Sequence, residues 1–140
     1  MNVRISKEQK VKIANSQDVF NIMCAVLKRQ SKFRRKQEYF WTIGLSTAHD
    51  IEYIELVALG RLNAVNVEPV ELYSIAVQKR CKRILLVHNH PAGSLKPSKA
   101  DLTVTQFLKT AAKLLKIELI DHLIISETGF FSFVDEGLML

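Results

Sequence analysis

The feature that most constrains this 140-residue chain is an unbroken apolar run, Ile84-Leu85-Leu86-Val87, that ends in His88-Asn89-His90 and a loop rich in proline and glycine. Successive side chains of a strand point to opposite faces, so a run without polar alternation predicts a strand buried on both faces. Such a strand needs a layer on each side, as in an α/β sandwich. The polar residues that follow it then sit where the buried strand runs out.

The rest of the chain supplies those layers. Ser16 is expected to cap a helix with Asp18 in its first turn, and Val19, Phe20, Met23, Val26, Leu27 and Gln30 recur at helical spacing. EYFWTIGLS (38–46) alternates as a strand, with Tyr39, Trp41, Ile43 and Leu45 on one face and Glu38, Phe40 and Thr42 on the other. His49-Asp50 reads as the turn into a second strand, 51–60, which gives an antiparallel hairpin. Residues 61–68 read as a loop or short strand ended by Pro69, and 70–80 as a helix. A third helix is expected over 98–116, with Leu102, Leu108, Ala112 and Leu115 in its apolar stripe. Strands over 117–126 and 130–134 complete an α/β sandwich whose mixed central sheet is flanked by helices. The length suits one globular unit, read as an N-terminal helix and basic segment (1–37) followed by a domain over 38–140.

Charge is unevenly placed. The net charge is +6, yet residues 1–37 hold ten lysines and arginines against Glu8 and Asp18. The run KRQSKFRRK (28–36) has six positive charges and no acid. It suits either a solvated linker or a phosphate-neutralising surface, with Phe33 the single aromatic for base stacking. No apolar stretch approaches the ~20 residues that span a bilayer, and the first residues lack the apolar core of a secretory signal. Cys24 and Cys81 form no C-x-x-C pair. A reducing, cytoplasmic setting with no membrane partner is therefore expected.

Residues i and i+2 of a strand share a face, so His88 and His90 meet one ion if the strand persists to residue 90. Imidazole nitrogen suits zinc, and a catalytic zinc typically takes three protein ligands and leaves one position for water. Asp101 is the third candidate: a helix starting at Ser98 puts it in the first turn, and Gly93 and Pro97 can fold the loop back. The donor set fits zinc better than calcium and leaves other transition metals open. A plainer reading of the same residues is a capping box, Ser98-x-x-Asp101, beside two exposed loop histidines. The two readings are compatible. Hydrolysis would also need a carboxylate as proton acceptor. Glu38 is the best placed, and Glu52, Glu55, Glu68 and Glu71 compete on spacing alone.

At these residues the chain resembles the JAMM, or JAB/MPN, metal-dependent hydrolases, and in detail the bacterial RadC family. The pattern is a distant Glu, then H-x-H, seven residues, then S-x-x-D, and His88-Asn89-His90 with Ser98-Lys99-Ala100-Asp101 meets it without adjustment. HNHPAG at 88–93, DHLIIS at 121–126, FSF at 131–133 and EYF at 38–40 extend the resemblance over most of the chain. It implies a deaminase-related JAB/MPN sandwich with His88, His90 and Asp101 as zinc ligands. It further implies Glu38 as general acid/base and Ser98 as oxyanion donor, in a metallopeptidase or isopeptidase acting on a peptide or protein. His122, in the family's D-H-L strand, is read as a satisfied core histidine.

Three departures stand out. Ala92 replaces the serine of the family's HPSG loop, and Pro69-Val70-Glu71 lacks the arginine of the family's P-R-E. The helix-hairpin-helix-like DNA-binding domain of full-length RadC proteins is not found in these residues, so an association with DNA repair rests on the family name. The other function class open to the chain is a nucleic-acid-associated module with a structural or vestigial zinc site. A zinc deaminase is excluded because H-x-E and P-C-x-x-C are both missing. The letters HNH at 88–90 do not make an HNH nuclease, whose residues are spread over a ββα unit.

Overall fold

The computed structural model describes residues 2–6, 12–61 and 66–139. They form β1 (Asn2–Val3), α1 (Ser16–Lys28), a 3₁₀ turn (Arg34–Lys36), β2 (Tyr39–Leu45) and β3 (Ile51–Leu59). α2 (Pro69–Gln78), β4 (Arg83–Asn89), α3 (Lys99–Leu114), β5 (Glu118–Ile125) and β6 (Phe130–Ser132) follow. The six strands make one mixed sheet in the order β1-β3-β2-β4-β5-β6. β4 and β5 are parallel, joined through α3, and the other neighbouring pairs are antiparallel. The α/β sandwich expected from the sequence is the observed fold. Of the loop expected over 61–68, residues 62–65 lie outside the described residues.

Burial explains the layering. Leu85 and Val87 of β4 join Tyr39, Trp41, Ile43 and Leu45 of β2 in one core, closed by Val19, Ile22, Met23, Val26 and Leu27 of α1. Ile84 and Leu86 point the other way and meet Phe40, with Leu72, Tyr73 and Ala76 of α2 and Val104, Leu108 and Ala112 of α3. The apolar run is thus central and two-sided. The β2–β3 hairpin turns at His49, whose φ of 67° lies in the left-handed region, and its N–H donates to the Ser46 carbonyl at 2.9 Å.

Three local expectations are corrected. The cap of α1 is Asn15 rather than Ser16: its side chain accepts from the Asp18 N–H at 3.0 Å, while Asp18 accepts from the Ala14 N–H at 2.9 Å. Asn and Ser cap equally well, so composition cannot place the boundary to one residue. The basic segment is more than a linker. The Arg35 guanidinium donates to the Lys28 and Gln30 carbonyls, both at 2.8 Å, and pairs with Glu127 at 2.9 Å. The stripe of α3 is rotated from the expected one. Its buried face is Asp101, Val104, Thr105, Leu108 and Ala112, whereas Leu102 is 43% and Leu115 49% exposed.

That rotation makes opposite demands on two leucines. Leu108→Ala should lower the free energy of unfolding by about 2–5 kcal/mol, while Leu102→Ala should stay within roughly 0.5 kcal/mol of wild type. Urea denaturation of the two variants checks this, and equal losses would contradict the observed face.

Candidate metal centre

The site forms at the carboxyl end of β4, beside its parallel partner, the edge of an α/β sheet where ligands commonly bind. His88 is the penultimate residue of β4, and the His90 N–H still donates to the Ile125 carbonyl at 3.0 Å. Pairing with β5 therefore runs past the strand's assigned end and keeps both imidazoles on one face, with ring centroids 4.8 Å apart. Gly93, at φ 90°, donates its N–H to the His90 carbonyl at 3.0 Å and reverses the chain. The returning loop fixes His90, whose Nδ1 donates to the Ser94 carbonyl at 2.7 Å.

Asp101 reaches the histidines from the first turn of α3, through a complete capping box. Ser98 Oγ accepts from the Asp101 N–H at 3.0 Å, and Asp101 Oδ2 accepts from the Ser98 N–H at 2.8 Å. The same carboxylate lies 3.2 Å from His88 Nε2 through Oδ1 and 3.1 Å from His90 Nε2 through Oδ2. The cap and the ligand geometry thus coexist. His88 and Asp101 are buried and His90 is half-buried.

The donor set could hold a cation. The two Nε2 atoms are 3.0 Å apart, and a ligand atom from each of His88, His90 and Asp101 falls within 4.8 Å of the others. The Ser94 carbonyl can only accept, so neutral His90 carries its proton on Nδ1 and turns a bare Nε2 inward. Lone pairs facing a carboxylate at these distances repel unless a proton or metal ion sits among them. Two imidazole nitrogens and one carboxylate oxygen suit a transition metal.

Glu38 arrives by register. Phe40 of β2 pairs with His88 of β4 in the antiparallel ladder, so two residues further out Glu38 stands opposite His90, on the same face. Asn89 holds it there from the reverse face. Its Oδ1 accepts from the Tyr39 N–H at 2.6 Å and its Nδ2 donates to the Gln37 carbonyl at 2.9 Å, gripping the peptides on both sides of Glu38. A cavity of about 510 Å³ is lined by Glu38, Arg61, His90, Ser98, Lys99 and Asp101 among others. Glu52, Glu55, Glu68 and Glu71 do not line it.

His122 and Thr105 belong to the network and were not among the expected site residues. His122 is fully buried, as a core histidine would be, but its partners are polar: Nε2 lies 2.7 Å from His88 Nδ1 and Nδ1 lies 2.6 Å from Thr105 Oγ1. Its ring stacks on Phe133 at 4.6 Å. The available signals were spacing ones: Thr105 lies one helical turn after Asp101, and His122 pairs with Leu86, two residues before His88.

Burial dominates the ionisation of His88 and His122 and pushes both below the ordinary imidazole value, His122 furthest. The bond to Asp101 leads for His90 and raises it. Burial alone would raise the Asp101 carboxyl, but the bonds to His88 and His90 outweigh it and hold it well below the usual carboxylate range.

A depressed histidine contributes stability that is present above its unfolded value of about 6.5 and is lost as pH falls below it. Below that pH His90 is charged in both states and adds no opposing slope. Metal-free protein should therefore lose stability from about pH 6.5 downward, by up to ~1.4 kcal/mol per pH unit for each net proton taken up on unfolding. Urea midpoints measured from pH 8 to pH 5 check this, and a flat profile would contradict it.

Comparison with known proteins identifies the family. The family model described as RadC-like JAB domain matches residues 13–138. A UPF0758 protein of Pelodictyon phaeoclathratiforme is 39% identical over 134 residues, covering 96% of this chain and 58% of the relative. A UPF0758 protein of Chlorobaculum tepidum is 35% identical, covering 98% and 60%, and one of Methanosarcina mazei is 37% identical, covering 95% and 56%. The chain thus spans somewhat more than half the length of these relatives. With the sheet order, the converging His88, His90 and Asp101, and a match over nearly its whole length, the chain belongs to the RadC-like JAB domain family.

Proposed function

We propose that this protein is a zinc-dependent hydrolase of the JAMM type that cleaves an amide bond in a peptide or protein substrate. The observation that carries this reading is the convergence of His88 Nε2, His90 Nε2 and the Asp101 carboxylate, with His90 and Asp101 on the wall of a cavity that Glu38 and Ser98 also line. The mixed nitrogen and oxygen donors favour zinc over calcium or magnesium, which take oxygen. When bound, zinc supplies Lewis acidity toward a carbonyl oxygen and toward water.

Each remaining group has a task that its own bonds allow. Glu38 is a half-buried carboxylate at the cavity edge; it takes a proton from the attacking water and returns it to the leaving amine. Ser98 Oγ accepts from the Asp101 N–H, which leaves the hydroxyl hydrogen to donate to a developing oxyanion. Asn89 fixes the backbone on both sides of Glu38 and so sets where that carboxylate stands. We place the protein in the cytoplasm; Cys24 and Cys81 are buried free thiols, as a reducing compartment leaves them. Among the described residues no helix is long and apolar enough to cross a membrane.

Protein purified without added metal should carry zinc in near-stoichiometric amount, and His88→Ala/His90→Ala should carry almost none. Glu38→Gln should keep the zinc and lose about 10²- to 10⁴-fold in turnover of a peptide library. Equal, near-zero zinc in wild type and the double variant would overturn the reading.

A second reading, a nucleic-acid-associated module with a structural zinc, is supported by Phe33. It is 77% exposed between Lys32 and Arg34, which are also exposed, as is Lys36. Arg35 is committed within the chain, so the informative variant neutralises Lys32, Arg34 and Lys36. DNA or RNA affinity that falls steeply with salt and weakens in that variant would favour it. Flat salt dependence would remove it.

A further inference from the structure

His88 Nδ1 meets His122, and Thr105 lies behind it. Thr105 Oγ1 is 2.6 Å from the Asp101 carbonyl and 2.6 Å from His122 Nδ1. Oxygens that close need a proton between them, and a carbonyl has none to give, so the Thr105 hydroxyl donates to Asp101. Its single hydrogen is then spent. The contact with His122 must be filled from the other side, by a proton on His122 Nδ1. Neutral imidazole carries one N–H, so His122 Nε2 is bare and accepts. The 2.7 Å contact with His88 is therefore made by a proton on His88 Nδ1, and His88 Nε2 is left bare toward His90 and Asp101.

Each polarity in this chain follows from the one before it, and the chain starts at a backbone carbonyl that cannot reverse. The alternative arrangement puts the shared proton on His122 Nε2 and the single proton of neutral His88 on its Nε2, where it would occupy the ligand position. The longer 3.2 Å contact between His88 Nε2 and Asp101 would favour that arrangement, but it competes with two contacts of 2.6 Å. Packing holds the relay in line. His122 is sealed between the Phe133 ring, stacked at 4.6 Å, and the edge of Phe40 at 5.8 Å.

We propose that Thr105 and His122 are positioning residues that hold His88 in its Nδ1–H tautomer and so present Nε2 ready for a metal ion. This rests on the metal reading of His88, His90 and Asp101, but the tautomer itself is a property of the metal-free protein. Outer-shell partners of this kind fix ring orientation and ligand basicity, and their loss typically costs about 10- to 100-fold in metal affinity. The relay thereby ties the Asp101 carbonyl to His88 by way of Thr105 and His122.

The test is long-range ¹H–¹⁵N correlation spectroscopy on chelator-treated wild type at pH 7.5, together with zinc titration of wild type, Thr105→Val and Thr105→Ser. In wild type, His88 and His122 should both show a protonated Nδ1 and an unprotonated Nε2. Thr105→Val keeps the shape but removes the acceptor, so His88 should move toward the Nε2–H form and zinc affinity should fall about 10- to 100-fold. Thr105→Ser should restore both. A wild-type His88 protonated on Nε2 would overturn the relay, as would a Thr105→Val protein with unchanged tautomer and affinity. Should that variant not fold, the wild-type spectrum decides alone. If wild type shows the expected tautomers but takes up no zinc, the metal reading fails and the relay stands as a structural feature.

Discussion

His88 Nε2, His90 Nε2 and the Asp101 carboxylate lie within 3.0 to 3.2 Å of one another, two of the three groups almost wholly buried. Groups of this kind approach so closely only with a proton or a metal ion among them, because burial removes the water that would separate them. The surrounding structure imposes the arrangement. The continued β4–β5 pairing holds both histidines on one face, the Gly93 turn brings the chain back, and the capping box fixes Asp101 at the start of α3. Together these elements build a group of donors that could hold a metal ion.

The fold supplies this geometry at small extra cost because it uses features already needed for stability. A parallel pair of strands requires a crossover helix, and the start of that helix lies beside the end of the first strand. A helix start requires a cap, and an acidic residue at the third position serves both the cap and the helix dipole. Asp101 meets those needs and places its carboxylate over the end of β4. Glu38 immediately precedes the neighbouring antiparallel strand, so the proposed acid/base group and the candidate ligands stand on separate elements whose spacing is set by the backbone ladder of β2 and β4.

Much of this was legible in the residues. The two-sided burial of β4 follows from its lack of alternation, and the ligand trio follows from a two-residue and a helix-start spacing. The choice of Glu38 over Glu55 or Glu71 did not follow, because it depends on the pairing of Phe40 with His88, which is a fact of tertiary register. The stripe of α3 was misjudged for a related reason. Asp101 and Thr105 occupy the buried face as polar residues because each is hydrogen-bonded there. Hydrophobicity alone therefore favoured the neighbouring Leu102. His122 was assigned to the core on sound grounds, and it is there; its polar bonds were invisible without its neighbours. Local rules failed where the site overrides them.

The most direct test of the metal centre is X-ray absorption at the zinc edge on protein loaded with one equivalent of zinc, compared with Asp101→Asn. The wild-type spectrum should show two imidazole nitrogens and carboxylate oxygen at about 2.0–2.2 Å with no sulfur, and the variant should lose the ordered first shell. A wild-type spectrum of oxygen neighbours alone, as for loosely held aqueous zinc, would contradict the assignment of His88, His90 and Asp101 as its ligands.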